Sequence, residues 1–560
     1  MTNKAVAGVL KETSALIDLT GGNPFRSRAI ANAARTIERL EDAVGELLEA
    51  GTLTDIKGIG AGLADQIRQI LESGSFDVRD DLLGAIPPGL LDILSVKGLG
   101  AKKVRALWKT LGIQTLDELE AAAESGFISE LDGFGKKSEA SILENIASLR
   151  AYRKKRHYAT AFLRASALVE ELEEDPTIAS VEITGELRRC LETVFEVELV
   201  VQLENISEPS FLVDRFGPIE DGVISSHLPD GLPLKLYVVQ SGESGEILFR
   251  RTGSDEFVDA WLEQFPIDKE EPSESDIFAE AGVPFIPPEL RESPEIISEA
   301  QNEGLPSLLS VSDLKGTLHN HSTYSDGAHT LREMAESTRE MGLSYFGICD
   351  HSQSLKIAHG LSVEEVIQQQ EEIESLNLEF SKDGGGDFRI YSGIESDILA
   401  DGSLDYPDEI LASFDFIVAS VHTGFNMTED EATARVITAV SNPHTSILGH
   451  PTGRLLLRRE GYPLNHDKVL DACAEFGVAV ELNANPWRLD LDWRWIREAT
   501  RRGILISINP DAHSVDQLGY TRWGVAIARK GYLTSEQCLN AMRLEDFETW
   551  ILTRKTTLPA

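Results

Sequence analysis

From Leu314 onward the chain runs as short apolar segments, each closing on an imidazole or a carboxylate. They are Tyr345-Phe-Gly-Ile-Cys-Asp350-His351, Ile390-Tyr-Ser-Gly-Ile-Glu395, Phe416-Ile-Val-Ala-Ser-Val-His422, Ser446-Ile-Leu-Gly-His450 and Ile504-Leu-Ile-Ser-Ile-Asn-Pro-Asp511-Ala-His513. Longer stretches of helical period separate them. This alternation predicts βα units with a parallel sheet. In a barrel of such units the C-terminal strand ends form the active-site face. The front of the chain reads differently, as short helices. There, Leu53-Thr-Asp-Ile-Lys57-Gly58-Ile-Gly60-Ala-Gly62 precedes a helical pattern, and Leu94-Ser-Val-Lys97-Gly98-Leu-Gly100-Ala-Lys102-Lys103 repeats it. A weaker copy is Leu131-Asp-Gly133-Phe-Gly135-Lys136-Lys137. Glycines let a phosphate approach the backbone, and the following helix offers free N–H groups and its positive end. The repeats predict helix-hairpin-helix elements that hold a nucleic-acid backbone without reading sequence.

Composition narrows the class. A chain of 560 residues is long enough for several domains. With no apolar run of membrane-spanning length and no signal-like start, it reads as soluble and cytoplasmic, with no membrane partner. Cys190, Cys349, Cys473 and Cys538 are far apart and form neither a disulfide framework nor a zinc knuckle. The formal charge of −41 argues against a generic electrostatic binder of nucleic acid, so local lysine loops matter more than the sum. Acidity of a salt-adapted cell would produce the same charge. Between residues 246 and 310, Pro266, Pro272, Pro284, Pro287, Pro288 and Pro294 punctuate an acidic stretch that separates the middle of the chain from the metal domain, and its charge run, Lys269-Glu-Glu-Pro-Ser-Glu-Ser-Asp, reads as a solvated surface.

The candidate chemistry is metal binding. His319 and His321 are one residue apart on an extended segment and face the same side, with Asp326 after a short polar loop. His351, Glu395, His422, His450, Asp511 and His513 all fall at strand ends. Imidazole with carboxylate suits zinc, manganese or iron. His329, His444 and His466 have no motif position and read as surface residues.

In this order, the hairpins, a middle domain and the terminal metal domain resemble bacterial PolX, family X DNA polymerases fused to a polymerase-and-histidinol-phosphatase (PHP) domain. The resemblance implies a multidomain α/β chain. Helical helix-hairpin-helix domains would occupy 1–85 and 86–150, the second fingers-like, with an α+β palm at 151–245 and a thumb-like region and linker at 246–310. A distorted (β/α)7 PHP barrel would follow at 311–560. It also implies a ligand set for two to three divalent ions: His319, His321, Glu395 and Asp511 on the first, Glu395, His422 and His450 on the second, and Asp326, His351 and His513 on the third. Water activated by the ions would attack a phosphoester, with Arg454 as a phosphate clamp and His359 or Asn483 at the rim. Asp350 would support a ligand histidine.

The middle domain departs from the family pattern. The matching stretch is Thr184-Gly185-Glu186-Leu-Arg188-Arg189-Cys190-Leu-Glu192-Thr-Val-Phe195-Glu196-Val-Glu198. Glu186 stands where the family has a phosphate-binding serine, Cys190 replaces a glycine, and Glu196 and Glu198 replace both magnesium-binding aspartates. Lys235 falls at the third aspartate. Gln66 takes the position of the lyase lysine, and an amide cannot form its imine. The expectation is a DNA-repair protein acting on gapped, nicked or 3′-end DNA by exonuclease, 3′-phosphatase or abasic-site cleavage. Its palm would be degenerate and would not hold magnesium. The alternatives are an active gap-filling polymerase with a PHP exonuclease and a small-molecule phosphatase of the histidinol-phosphatase type.

Overall fold

A computed structural model describes residues 1, 3–38, 40, 43–204, 209–240, 243–267, 273–382 and 388–556. The chain divides into two compact units, Met1–Arg153 and Lys154–Ala560. No helix among the described residues is long and apolar enough to cross a membrane.

The first unit is helical. Helix Asn3–Thr20 turns Val6, Leu10 and Ile17 into one apolar core with Ile30, Ile67 and Ile70, and Leu16 and Leu19 into a second core with Leu90, Leu107 and Ile146. One helix therefore serves both cores, the rest of the first ending at Phe76 and the rest of the second running from Ile86 onward.

In the second unit, β1 (Arg156–His157) pairs with β3 (Thr193–Val194). A four-stranded sheet is built from β2 (Ile178–Thr184), β4 (Val197–Leu203), β5 (Val223–His227) and β6 (Pro233–Val239), in the order β2-β4-β6-β5. Helix Tyr158–Glu173 buries Ala161, Ala165, Leu168 and Leu172 in the core shared with this sheet. The region expected as thumb-like and linker, 246–310, is folded wherever it is described. Phe249, Phe257, Trp261, Phe278 and Ile297 form an apolar core of their own, and Arg291 is wholly buried. Pro272 and the Lys269–Pro272 part of the acidic run lie outside the described residues.

Seven parallel strands follow among the described residues: β7 (Gly316–Thr317), β8 (Tyr345–Ile348), β9 (Arg389–Asp397), β10 (Phe416–Ser420), β11 (Ile447–Leu448), β12 (Ala479–Asn483) and β13 (Ile506–Asn509). They run in sequence order, and a parallel bridge between Asn320 and Ala512 joins the two ends. Tyr345, Phe416, Ile447 and Ala479, each the first residue of its strand, share a core with Phe547 and Ile551 of the helix Leu544–Thr556. That plug closes one end of the barrel and leaves the C-terminal strand ends for chemistry. Gly393 has to be small, because a Cβ there would lie 2.5 Å from the Phe416 ring.

Candidate metal centre

His319, His351, His422, His450 and Asp511 lie just past the ends of β7, β8, β10, β11 and β13, Glu395 lies near the end of β9, and the side chains converge. Glu395 lies in the middle. Its carboxylate is 2.8 Å from His351 Nδ1, 3.0 Å from His450 Nε2, 3.2 Å from His422 Nε2 and 3.4 Å from His319 Nε2. Asp511 is 3.2 Å from His321 Nε2 and 3.7 Å from His319 Nε2. Asp326 is 3.3 Å from His513 Nε2 and 3.4 Å from His351 Nε2. The ligand atoms form three overlapping groups: His321, Asp326, His351 and His513; His319, His321 and Glu395; and His351, Glu395 and His422. His351 thus faces two ways, Nδ1 to Glu395 and Nε2 to Asp326. Asp511 holds its aim with a left-handed backbone, φ +51°, a conformation that costs energy outside glycine.

The donor set fits divalent ions. His319 Nε2, His321 Nδ1, His351 Nδ1 and Glu395 Oε2 are buried without a hydrogen-bond partner. Buried polar atoms are rarely left so. His351 Nδ1 and Glu395 Oε2 are close yet lack the alignment of a hydrogen bond, as expected of two ligands aimed at one ion. Burial opposes charge on Glu395 and Asp511, but the surrounding histidines outweigh it and hold both carboxyls well below their usual range. Burial, with repulsion from His513 and His351, pushes His321 down to about 3, so at neutral pH it is an uncharged imidazole ready to donate a lone pair. When bound, such ions activate water and neutralise a leaving oxyanion.

Around the ligands stands a ring of supports that sequence reasoning missed. Glu481, wholly buried in β12, is 2.7 Å from His319 Nδ1 and accepts from the His450 backbone N–H at 2.7 Å and from Asn509 Nδ2 at 2.9 Å. Asp397 is 3.2 Å from His422 Nδ1. Carboxylates in these places fix ring orientation and tautomer. Asn483, expected at the rim, is wholly buried and donates to Asp511 at 3.1 Å. His359 is exposed. Asp350 supports no histidine; it accepts from Ser322, Ser325 and Gln369. His466, expected at the surface, is half-buried and stacked on Trp495 at 4.5 Å. Arg454, expected as a phosphate clamp, is turned to the loop that follows β12. Its guanidinium is committed to Asp492 at 2.7 Å, to the Arg488 carbonyl at 3.0 Å and to the Leu489 carbonyl. The arginine nearest the ligands is Arg488, with Nε 3.5 Å from Asp511.

In the first unit, the three glycine turns are alike. Gly58, Gly98 and Gly133 have φ of +99°, +86° and +85°, and Gly60 and Gly100 sit at the N-termini of helices Ala61–Ser73 and Ala101–Leu111. Gly135 precedes helix Lys136–Arg153, and Gly62 lies in the first turn of its helix. A Cβ at any of these glycines would meet open space, so the turns are set by backbone conformation and stay open to a ligand. Lys97, Lys102, Lys136 and Lys137 are exposed beside them, while Lys103 bonds the Gly98 carbonyl at 3.3 Å.

Residues 1–76 match a helix-hairpin-helix domain, 90–147 a SAM-like helix-hairpin-helix tandem and 317–485 the PHP domain. Over 98% of its length the chain is 34% identical to the DNA polymerase/3′-5′ exonuclease PolX of Bacillus subtilis (strain 168), covering 99% of that protein. The chain belongs to the PolX family. Probable phosphatases match a smaller share of the chain. That of Thermoanaerobacter sp. (strain X514) is 26% identical over 40% of the chain and 88% of its own length. That of Acetivibrio thermocellus is 29% identical over 36% of the chain and 80% of its own.

In this PolX chain the palm positions are occupied by one another. Lys235 Nζ is 2.8 Å from Glu196 and stands opposite Glu198 in the β4–β6 register. Tyr237 donates to Glu198 at 2.7 Å, and burial raises the Glu198 carboxyl from its ordinary value. Glu198 also reaches Gly185, where a Cβ would meet its carboxylate at 1.9 Å. Glu186 accepts from the Phe195 backbone N–H at 2.9 Å. Arg188 binds Glu274 with both its terminal nitrogens, at 2.7 and 2.8 Å, and Arg189 binds Glu292 at 2.8 Å, so both arginines lock the palm to the following helical region. Cys190 has a left-handed backbone, φ +57°.

Proposed function

We propose that this PolX chain is a DNA 3′-end phosphoesterase, a 3′–5′ exonuclease whose chemistry lies wholly in the barrel. The observation that carries this reading is a contrast. Seven of the nine expected barrel ligands gather in three overlapping groups, and His319, His321, His351 and Glu395 carry buried atoms without a hydrogen-bond partner, while the palm carboxylates Glu196 and Glu198 are ion-paired or hydrogen-bonded to Lys235 and Tyr237. The exonuclease activity named for the Bacillus subtilis relative supports the choice of DNA over a small phosphoester. Zinc, manganese and iron suit the donors equally. The test uses a gapped duplex with a 5′-labelled primer and manganese, comparing the native protein with His319→Ala. The expected result is primer shortening by the native protein alone. Shortening that persists in the variant overturns the assignment.

The glycine turns and their lysines hold DNA by its backbone, as the local charge requires in a chain of −41. Replacing Lys97, Lys102, Lys103, Lys136 and Lys137 with alanine is expected to weaken binding to gapped DNA at low salt. The slope of log K against log salt should flatten by about one for each phosphate no longer neutralised. A titration showing the same slope in both proteins rules these loops out.

The probable phosphatases, matched over 40% of the chain or less, support a second reading, hydrolysis of a small phosphomonoester. Turnover of histidinol phosphate by a protein that leaves gapped DNA intact would establish it.

A further inference from the structure

The loop that follows β12 carries two side chains that the metal centre does not use. Trp487 is 52% exposed, and Arg488 next to it lies 3.5 Å from the ligand Asp511. Arg459 joins them from a neighbouring turn. Its Nε is buried without a hydrogen-bond partner, and its guanidinium lies 4.2 Å from the Phe425 ring centroid. Burial, with repulsion from Arg488 and Arg458, holds the Arg459 pKa below its ordinary value, and its Nη2 donates to the Gly453 carbonyl at 2.7 Å. Crowded guanidiniums beside a cluster built for dications gain most from an anion with several oxygens, such as a phosphodiester.

The polymerase-like half of the second unit holds this loop in place. The His157 ring, at the end of β1, packs 4.3 Å from Trp487, and its Nε2 lies 3.0 Å from the Leu456 carbonyl. Leu456 in turn donates its backbone N–H to the Trp487 carbonyl at 2.7 Å. Glu192, just before β3, is 3.5 Å from Arg454, whose guanidinium binds the Arg488 and Leu489 carbonyls from beneath. Trp487 therefore has one side supported by the palm and is half exposed, beside Arg488, which reaches the ligand Asp511.

We propose that Trp487, Arg488 and Arg459 form the seat of the terminal nucleotide. The base would stack on Trp487 and the phosphate would lie against the two guanidiniums. His157 and Glu192 of the degenerate palm act as positioning residues for that seat. The proposal rests on the exonuclease reading of the barrel and gives the palm a task that needs no polymerase chemistry. Stacking on an aromatic face tolerates any base, which suits an enzyme that must remove each nucleotide in turn.

The test compares two single-stranded oligonucleotides that differ only at the 3′ terminus, one with a normal nucleotide and one whose terminal sugar lacks its base. The native protein should favour the normal end about ten-fold or more in kcat/KM, mainly through KM, the size expected for one stacked base. Trp487→Ala should abolish that preference, Trp487→Phe should keep most of it, and His157→Ala should reduce it. Arg488→Ala should raise KM for both ends alike. A Trp487→Ala protein that still favours the normal end sinks the seat and leaves the exonuclease reading standing. Cleavage of both oligonucleotides by His319→Ala sinks the exonuclease reading instead.

Discussion

Glu395→Gln is expected to lower hydrolysis of a single-stranded oligonucleotide about a thousand-fold or more. Glu395 is the carboxylate on which the centre converges, within 3.4 Å of His351, His450, His422 and His319. Glutamine keeps its length and shape but removes the charge, and it aims an N–H₂ group where a cation should sit. Loss of a partner one shell further out costs about 10–100-fold; loss of a ligand shared between ions should exceed that. Single-turnover shortening and bound metal per chain measure the effect, and a melting curve confirms that the variant is folded. Activity within ten-fold of the native protein, with full metal content, would show that Glu395 bridges nothing.

The clustered candidate ligands were legible because most lie at or just past the end of an apolar run. A histidine or carboxylate in that place, repeated strand after strand, has few uses other than convergence at the barrel mouth. Glu481 was harder to see because it lies inside a strand, as Ala479-Val-Glu481-Leu-Asn483. A lone charge within a wholly buried strand is a signal, since it demands partners. The sequence does not say that those partners are His319, more than a hundred residues upstream, and the His450 backbone. Arg454 misleads for a related reason. Its place after Gly449-His450-Pro-Thr-Gly453 suggests a reach toward substrate, but the nearest acceptors belong to the loop through Asp492, which no local pattern announces.

The palm shows the opposite relation between pattern and structure. Each substitution there suggests only that a role has been given up; the fold shows what each residue does instead. Lys235 does not merely repel a cation but neutralises Glu196, and Arg188 and Arg189 have become anchors to Glu274 and Glu292. Lys530, from the barrel, is wholly buried against the Arg189 carbonyl and Glu292, so the same cluster ties all three parts of the second unit together. A site rebuilt as a junction cannot easily return to catalysis.

No primer extension is therefore expected on gapped DNA with magnesium and all four nucleotides. Binding two magnesium ions would require breaking the 2.8 Å Lys235–Glu196 pair and freeing Glu198 from Tyr237. Burial already disfavours the charged form of Glu198. Even then each glutamate would set its oxygens a methylene away from where an aspartate would. A displacement of that order costs about a hundred-fold, and two of them about ten-thousand-fold. A primer labelled at its 5′ end separates the outcomes, because extension lengthens it and the barrel shortens it. The assay belongs in a His319→Ala background, where shortening cannot hide slow addition. Extension in that background, lost again on Glu198→Ala, would mean that the ion pair opens and the palm is alive. A primer of unchanged length leaves the palm its structural work, with His157 against Trp487 and Glu192 beside Arg454.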